Sequence, residues 1–269
     1  MRRASLSVLL LLPVLNLLPA EVCARTWYVN IGGTGDAPTL NAAVDSAAAG
    51  DSVVVGPGTY LISALILKPG MVLVSEDGPL ATILQSDGTN YVGIDMDDNT
   101  AVVGLWVKGF EYSAVNTGLD SDVLVANNIL QASIDITISG STGDVRNNLF
   151  LGGISLEIGI SDPLVAAFMF VHHNIILAPV ICSPVTSFCN DYFGVDPDCL
   201  FNPASSFSAD PAFCGVSGSG DYFLQADSPC APGNDPLGIG CGLIGPLPVG
   251  CGTVATEQHT WGAIKSLYK

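Results

Sequence analysis

The stretch DVLVANNIL, residues 122–130, returns as DVRNNLF at 144–150 and as MFVHHNII at 169–176. Aligning Asn128 with Asn148 and Asn174 gives steps of 20 and 26 residues, and Leu105 holds the same place 23 residues before Asn128. Similar runs precede them: SVVV at 52, MVLV at 71 and TAVVGLWV at 100. Segments this short, rich in β-branched residues and bounded by Gly, Asn and Asp, predict strands rather than helices. Repeats of this length, each with one strand signal and a turn, predict coils of a solenoid whose strands stack in parallel. Parallel neighbours cannot be joined by a tight hairpin, so each connection must travel round the coil. The doublets Asn127/Asn128 and Asn147/Asn148 fit that geometry. Asn tolerates the left-handed backbone of a sharp bend, and Asn side chains stacked on successive coils hydrogen-bond as a ladder. A β-sandwich is the alternative and would show frequent hairpin turns. Asn-Gly never occurs, and Asp-Gly occurs only at Asp77/Gly78 and Asp87/Gly88.

Upstream, PTLNAAVDSAAA at 38–49 places Leu40, Ala43, Val44 and Ala47 on one helical face, with Thr39 to cap the start and Gly50 to end it. The run then continues as GDSVVVGPGTY. This opening resembles the right-handed parallel β-helix proteins of the pectin-lyase-like superfamily, in which a short helix caps the first coil and a GD-x-V-x-V-x-P-G-T-Y stretch makes the first strand and turn. The matching positions are Gly50, Asp51, Val53, Val55, Pro57, Gly58, Thr59 and Tyr60. The expected fold is thus all-β, a right-handed parallel β-helix over residues 25–205. The segments SADPAFC at 208, GDYFLQADSPC at 220 and CGLIGPLPVGCG at 241 resemble the tail of secreted bacterial β-helix proteins. They predict a Cys-rich cap over 206–252, which a solenoid needs to close its last coil. Residues 253–269 are a tail or linker, in which Trp261, Ile264 and Tyr268 would share a helical face.

Arg2 and Arg3, the apolar run Val8 to Leu18 and the small residue Ala24 read as a secretory signal peptide over 1–24. The run is too short for a membrane span, so none is expected after cleavage. The chain of 269 residues carries 25 acidic and 8 basic residues and a net charge of −17. Losing the leader removes two bases and one acid and takes the charge to −18. Such a surface offers nothing to a phosphate backbone, so nucleic acid is excluded as a partner. Seven cysteines, from Cys182 to Cys251, remain in the last third, at spacings of 7 to 16 residues without a CxxC pair. An exported chain with that clustering predicts disulfides rather than zinc, with one thiol left over. Connectivity is open at this stage, with Cys189–Cys199 and Cys230–Cys241 the short-range guesses.

The resemblance implies a polysaccharide lyase or glycoside hydrolase, yet the motifs that would carry either activity, a WIDH-like strand, R-x-P-x-x-R, HG or RIK, are absent. Between residues 26 and 260 the only Lys and Arg are Lys68, Lys108 and Arg146. Lys108 and Arg146 are the candidate cations for an anionic sugar. Carboxylates are plentiful. Asp95 and Asp97 share a face if they lie on a strand, and Asp120 and Asp122 repeat that spacing about one coil later. Together these four form a candidate ligand face, with Asp97 and Asp120 a candidate Ca²⁺ pair, since Ca²⁺ takes six to eight oxygens. No cofactor is otherwise required. His172 and His173 are adjacent on a predicted strand, so their rings should point to opposite faces. Trp106, Phe110 and Tyr112 could stack on sugar rings. The reading is a non-catalytic module that binds an extracellular polysaccharide or a cell-surface component, secreted or periplasmic, with a lyase or hydrolase as the alternative.

Overall fold

The computed structural model describes residues 24–118, 122–138, 142–152, 154–155, 169–177, 179–181, 186–195, 204–215 and 220–251. The expected leader up to residue 23, Asp120, Cys182, Cys199 and the tail from 252 lie outside them.

Each quoted run bends at one corner: the pair Asn127/Asn128, the pair Asn147/Asn148 and, in the third, His173/Asn174. Val123–Ala126 belongs to one sheet and Ile129–Gln131 to the next; the same corner parts Gly143–Arg146 from Leu149–Phe150 and Met169–His172 from Ile175–Ile176. One strand per repeat is therefore too coarse, because a coil holds three. The first sheet has eight described strands, from Thr26–Val29 to Thr186–Phe188, and the second has six, from Gly58–Ile62 to Ile175–Ile176. A third, also of six, runs from Leu65–Ile66 through Val92–Asp95, Ser113–Asn116 and Ile134–Thr137 to Val180–Ile181. Every strand pairing is parallel and joins successive coils.

The corner between the first two sheets is built from two columns. Gly104, Asn127, Asn147, His173 and Cys189 follow one another in the left-handed region, at φ between 52° and 71°. Behind them stand Asn128, Asn148, Asn174 and Asn190, all fully buried. Each Nδ2 donates to a carbonyl of the coil before, namely those of Val102, Val125, Val145 and Val171, and the first three also donate to the Oδ1 of the next coil's Asn at 3.0–3.1 Å. Each Oδ1 also accepts a backbone N–H from the preceding coil, beginning with Leu105. A buried carboxamide needs just such a full set, since an unmet amide in a dry site is destabilising. The fourth rung, Asn190, follows after 16 residues, a step shorter than the sequence period, and Ser206 Oγ accepts its N–H at 3.3 Å.

Inside the coils, Val53, Leu73, Val102, Val125, Val145 and Val171 stack in register on the first sheet. Tyr60, Leu84, Val107, Leu130, Phe150 and Ile176 do so on the second. The helix α1, Leu40–Ser46, plugs the first coil with Leu40, Ala43 and Val44, and Thr39 Oγ1 accepts from Ala42 N at its start. It stops short of the expected residue 49 because Asp51 Oδ2 takes the N–H of Ala48. The same buried carboxylate accepts from Arg25 N and Trp27 Nε1, so the Gly-Asp pair of the opening motif ties helix, first strand and second strand together. Tyr60 completes the motif by donating its hydroxyl to Gly56 O at 3.0 Å.

The C-terminal cap wraps back along the side of the solenoid. Ile129, Leu149 and Ile175 face outward from the second sheet and are buried beneath Leu224, Ile244 and Leu247, with Trp106 edge-on to Tyr222 at 5.9 Å. Two disulfides hold it, Cys189–Cys241 and Cys214–Cys251, and Cys230 is a buried free thiol. The short-range pairs Cys189–Cys199 and Cys230–Cys241 are thus corrected. The cap lies against the coil corner, which brings Cys241 beside Cys189 although 52 residues separate them.

Candidate functional site

Most outward side chains of the first sheet are small and apolar: Val54, Val74, Ala101, Val103 and Ala126 form one cluster. In the last coils the same columns turn polar and aromatic. Register places Asp144 beside Phe170 in one column, and Arg146, His172 and Phe188 in the other. Asp144 Oδ2 pairs with Arg146 Nη1 at 3.2 Å. Its buried Oδ1 lies 2.9 Å from His172 Nε2, a close charge contact rather than an in-line hydrogen bond. The His172 ring stacks on Phe188 with centroids 4.5 Å apart.

His173 departs from the alternation expected of a strand. Its backbone sits at φ 56°, which ends the strand and swings the ring to the same side as His172, so that the two Nδ1 atoms meet at 2.6 Å. His173 Nε2 contacts Cys241 O at 2.5 Å. A carbonyl only accepts, so that nitrogen carries its proton, and the ring accepts at Nδ1 from His172 Nδ1–H. Burial first, and then the neighbouring His172, push the pKa of His173 below its ordinary value, which fits a neutral ring. His172 turns its remaining nitrogen, Nε2, toward Asp144 Oδ1. His173 is thereby engaged on both nitrogens, and His172 on Nδ1.

Beside this cluster lies an open depression of about 310 Å³, lined by Asp122, Thr142, Gly143, Asp144 and Phe170. Phe170 is 41% exposed. Asp122 is exposed, at φ 58°, with its backbone N–H given to Thr142 Oγ1 at 3.0 Å.

The residues marked from the sequence spread over the coil. Asp95 ends a third-sheet strand and accepts from Asn116 Nδ2 at 2.9 Å. Asp97 lies beyond that strand and caps its own turn by accepting from Asp98 N at 2.7 Å, so the two carboxylates do not share a strand face. Asp120 is outside the described residues, and the Ca²⁺ pair with Asp97 cannot be built from Asp97 alone. Lys108 is on the second sheet, its Nζ 4.7 Å over the Trp106 ring, whereas Arg146 is on the first. Asp122 and Arg146 are the two that reach the depression or its border. Asp144, Phe170 and His172 were not marked, although the coil step of 26 residues sets Phe170 against Asp144 and His172 against Arg146. Of the aromatic candidates Phe110 is buried, Trp106 is half-buried, and Tyr112 is exposed beside Tyr91 of the preceding coil, whose carbonyl accepts its N–H at 3.0 Å.

Stacked parallel strands in three sheets with a continuous Asn ladder decide the architecture. The chain is a parallel β-helix. No protein-family model matches the sequence, and no curated protein does. Among solved structures it is similar to the pectin methylesterase of Aspergillus niger in a deglycosylated form, at 11% identity and a TM-score of 0.37, covering 71% of this chain and 81% of that one. A likeness so low says nothing of activity. Among the described residues no helix of this β-helix is long and apolar enough to cross a membrane.

Proposed function

We propose that this β-helix is an exported, non-catalytic carbohydrate-binding or cell-surface module, and that its glycan lies in the depression on the first sheet. One observation carries the reading: Phe170 holds an exposed ring in an open depression that Asp122, Thr142 and Asp144 also line. An apolar ring stacks on the face of a pyranose while flanking carboxylates and hydroxyls take its OH groups, which is the usual composition of a small-ligand site. The engagement of both His173 nitrogens supports binding over general-base catalysis by that ring. The disulfides support export to an oxidising compartment. The module needs no cofactor on this reading. Titrating the full chain with a panel of polysaccharides, against Phe170→Ala, tests it: the wild type binds at least one glycan and the variant loses about tenfold or more in affinity.

A glycoside hydrolase is the second reading, favoured by the fact that two carboxylates, Asp122 and Asp144, line one depression, as an acid and base pair would. Release of reducing ends from any bound glycan, lost in Asp122→Asn, would establish it over the first.

A further inference from the structure

Among the described residues the first sheet begins at Thr26–Val29, a strand that pairs on one edge only, with Ser52–Val55. Successive residues of a parallel strand turn their N–H and C=O to opposite edges. Arg25 O and Val29 O accept from Ser52 N and Gly56 N, so Arg25, Trp27 and Val29 face the sheet while Thr26 and Tyr28 face away from it. An outer edge of this kind is a template for another strand. Here its centre is occupied. Asp36 Oδ2 accepts the N–H of Tyr28 at 2.8 Å, and the N–H of Asp36 donates to Tyr28 O at 2.7 Å. Arg25 Nη2 holds the other carboxylate oxygen at 3.1 Å. The loop is folded back by its own bonds, since Asn30 O takes Gly33 N at 3.0 Å and Asn30 Oδ1 takes Thr34 N at 3.1 Å. It lies so close to the strand that a Cβ on Gly35 would run into Tyr28 O.

We propose that the loop 30–36 is an occluding clasp: it closes the edge of Thr26–Val29 against a second copy of this chain, and a chain whose clasp is open pairs through that edge as a two-fold dimer. The symmetry follows from which groups face outward. A two-fold axis through Trp27 sets Thr26 of one copy opposite Tyr28 of the other in antiparallel register, and each such pair exchanges two N–H···O bonds. These bonds replace the two that Asp36 makes to Tyr28 within one chain, and they join the first sheets of the two copies. Tyr28, 49% exposed, and Ile31, 61% exposed, bring apolar surface to the same border. The division of labour at this end of the solenoid is then clear. The helix α1 fills the core of the first coil with Leu40, Ala43 and Val44, and the loop guards the hydrogen-bonding edge.

The experiment is sedimentation of the chain without its leader, from about 2 to 200 µM. The wild type should give one species at every concentration. In the double variant Gly35→Val, Asp36→Ala the new side chain drives the loop off the strand and the acceptor for Tyr28 N–H is gone, so a species of twice the mass should grow with concentration. Adding Tyr28→Pro removes the N–H that the dimer needs, at a place where an edge strand tolerates proline, and should restore the single species. Asp36→Asn keeps an acceptor for Tyr28 and should behave as the wild type. A cooperative melt identifies the folded samples, and should the double variant fail to give one, Asp36→Ala alone carries the same expectation. A folded, open-clasp variant that stays a single species overturns the inference. So does association that survives Tyr28→Pro, or a wild-type dimer that Tyr28→Pro abolishes.

Discussion

Cys230 Sγ lies 3.2 Å from Asp191 Oδ2, and neither residue reaches solvent. The carboxylate has one other partner, the N–H of Ala209 on Oδ1 at 3.0 Å. Burial pushes its pKa from the ordinary carboxylate range up to about 7 and pushes the thiol up as well, so the pair is held neutral. Between pH 4 and 7 the folded protein keeps a proton that the unfolded chain has released, so stability falls as pH rises across that window and is flat above it. The fall is of the order of 4 kcal/mol. Urea denaturation at pH 4.5 and 8 should show it, and Asp191→Asn should flatten the curve and be the more stable protein at pH 8.

Asn148 fills both acceptor and both donor positions of its amide within the corner ladder. Asn148→Ala strands the N–H and one Nδ2 hydrogen of Asn128 and leaves the carbonyl of Val125 without its side-chain donor, and should cost about 3 to 5 kcal/mol in chemical denaturation. Its neighbour Asn147 differs because its backbone, at φ 52°, sets the requirement. Asn147→Gly keeps the left-handed backbone but gives up the Nδ2 bonds to Leu243 O and Gly245 O, and should cost about 1 to 2 kcal/mol, whereas Asn147→Val adds backbone strain and should cost more.

Removing the Cys189–Cys241 link opens a loop of 52 residues, for which chain entropy alone predicts a loss of about 4 kcal/mol. The double variant Cys189→Ala, Cys241→Ala should therefore uncover Ile129, Leu149 and Ile175 at lower temperature, read as earlier binding of a hydrophobic dye. Thiol counting on the unreduced, denatured chain without its leader, a chain of seven cysteines, should find no more than three free thiols.

The contact of His173 with Cys241 O, the donation of Gly245 N to His173 O at 2.7 Å and the bonds of Asn147 Nδ2 to Leu243 O and Gly245 O fasten the cap to the coil corner. Replacing His172 with Phe keeps the stack on Phe188 and removes the donor to His173. Hydrogen exchange should then quicken across residues 241–245 and stay unchanged in α1, whose buried face is plugged into the opposite end of the solenoid.

The solenoid was legible because its core repeats: Val and Leu on a fixed period, with Asn at the same offset, leave few other folds. The third sheet was not, because strands such as Ser113–Asn116 alternate weakly between polar and apolar residues and carry no turn signal of their own. Only the position of Asn128 within its run separates two sheets there, and a strand bent through a left-handed residue looks continuous in sequence. The disulfides were misread because short-range pairing assumes a cap that stays at the end, whereas the pairing follows from where Leu224 and Ile244 find apolar surface. The site was half legible. Arg146 and Asp122 stood out by charge, but Asp144, Phe170 and His172 join them only through register, and the same register moved Lys108 to another face.

The cap has a consequence for the order of events during biogenesis. Tyr222 meets Trp106 across 116 residues of chain, and the early coils show Ile129 and Leu149 to solvent until that meeting takes place. Coils can wind one on another as the polypeptide emerges, by local steps, but the closing contact is among the most distant in the molecule and therefore slow. Chains made only as far as the coils hold a sticky flank that the later cap residues, Tyr222 to Leu247, cover. Oxidation of Cys189 with Cys241 then fixes the closure, so the redox state of the compartment decides when the protein stops being a target for aggregation and begins its working life.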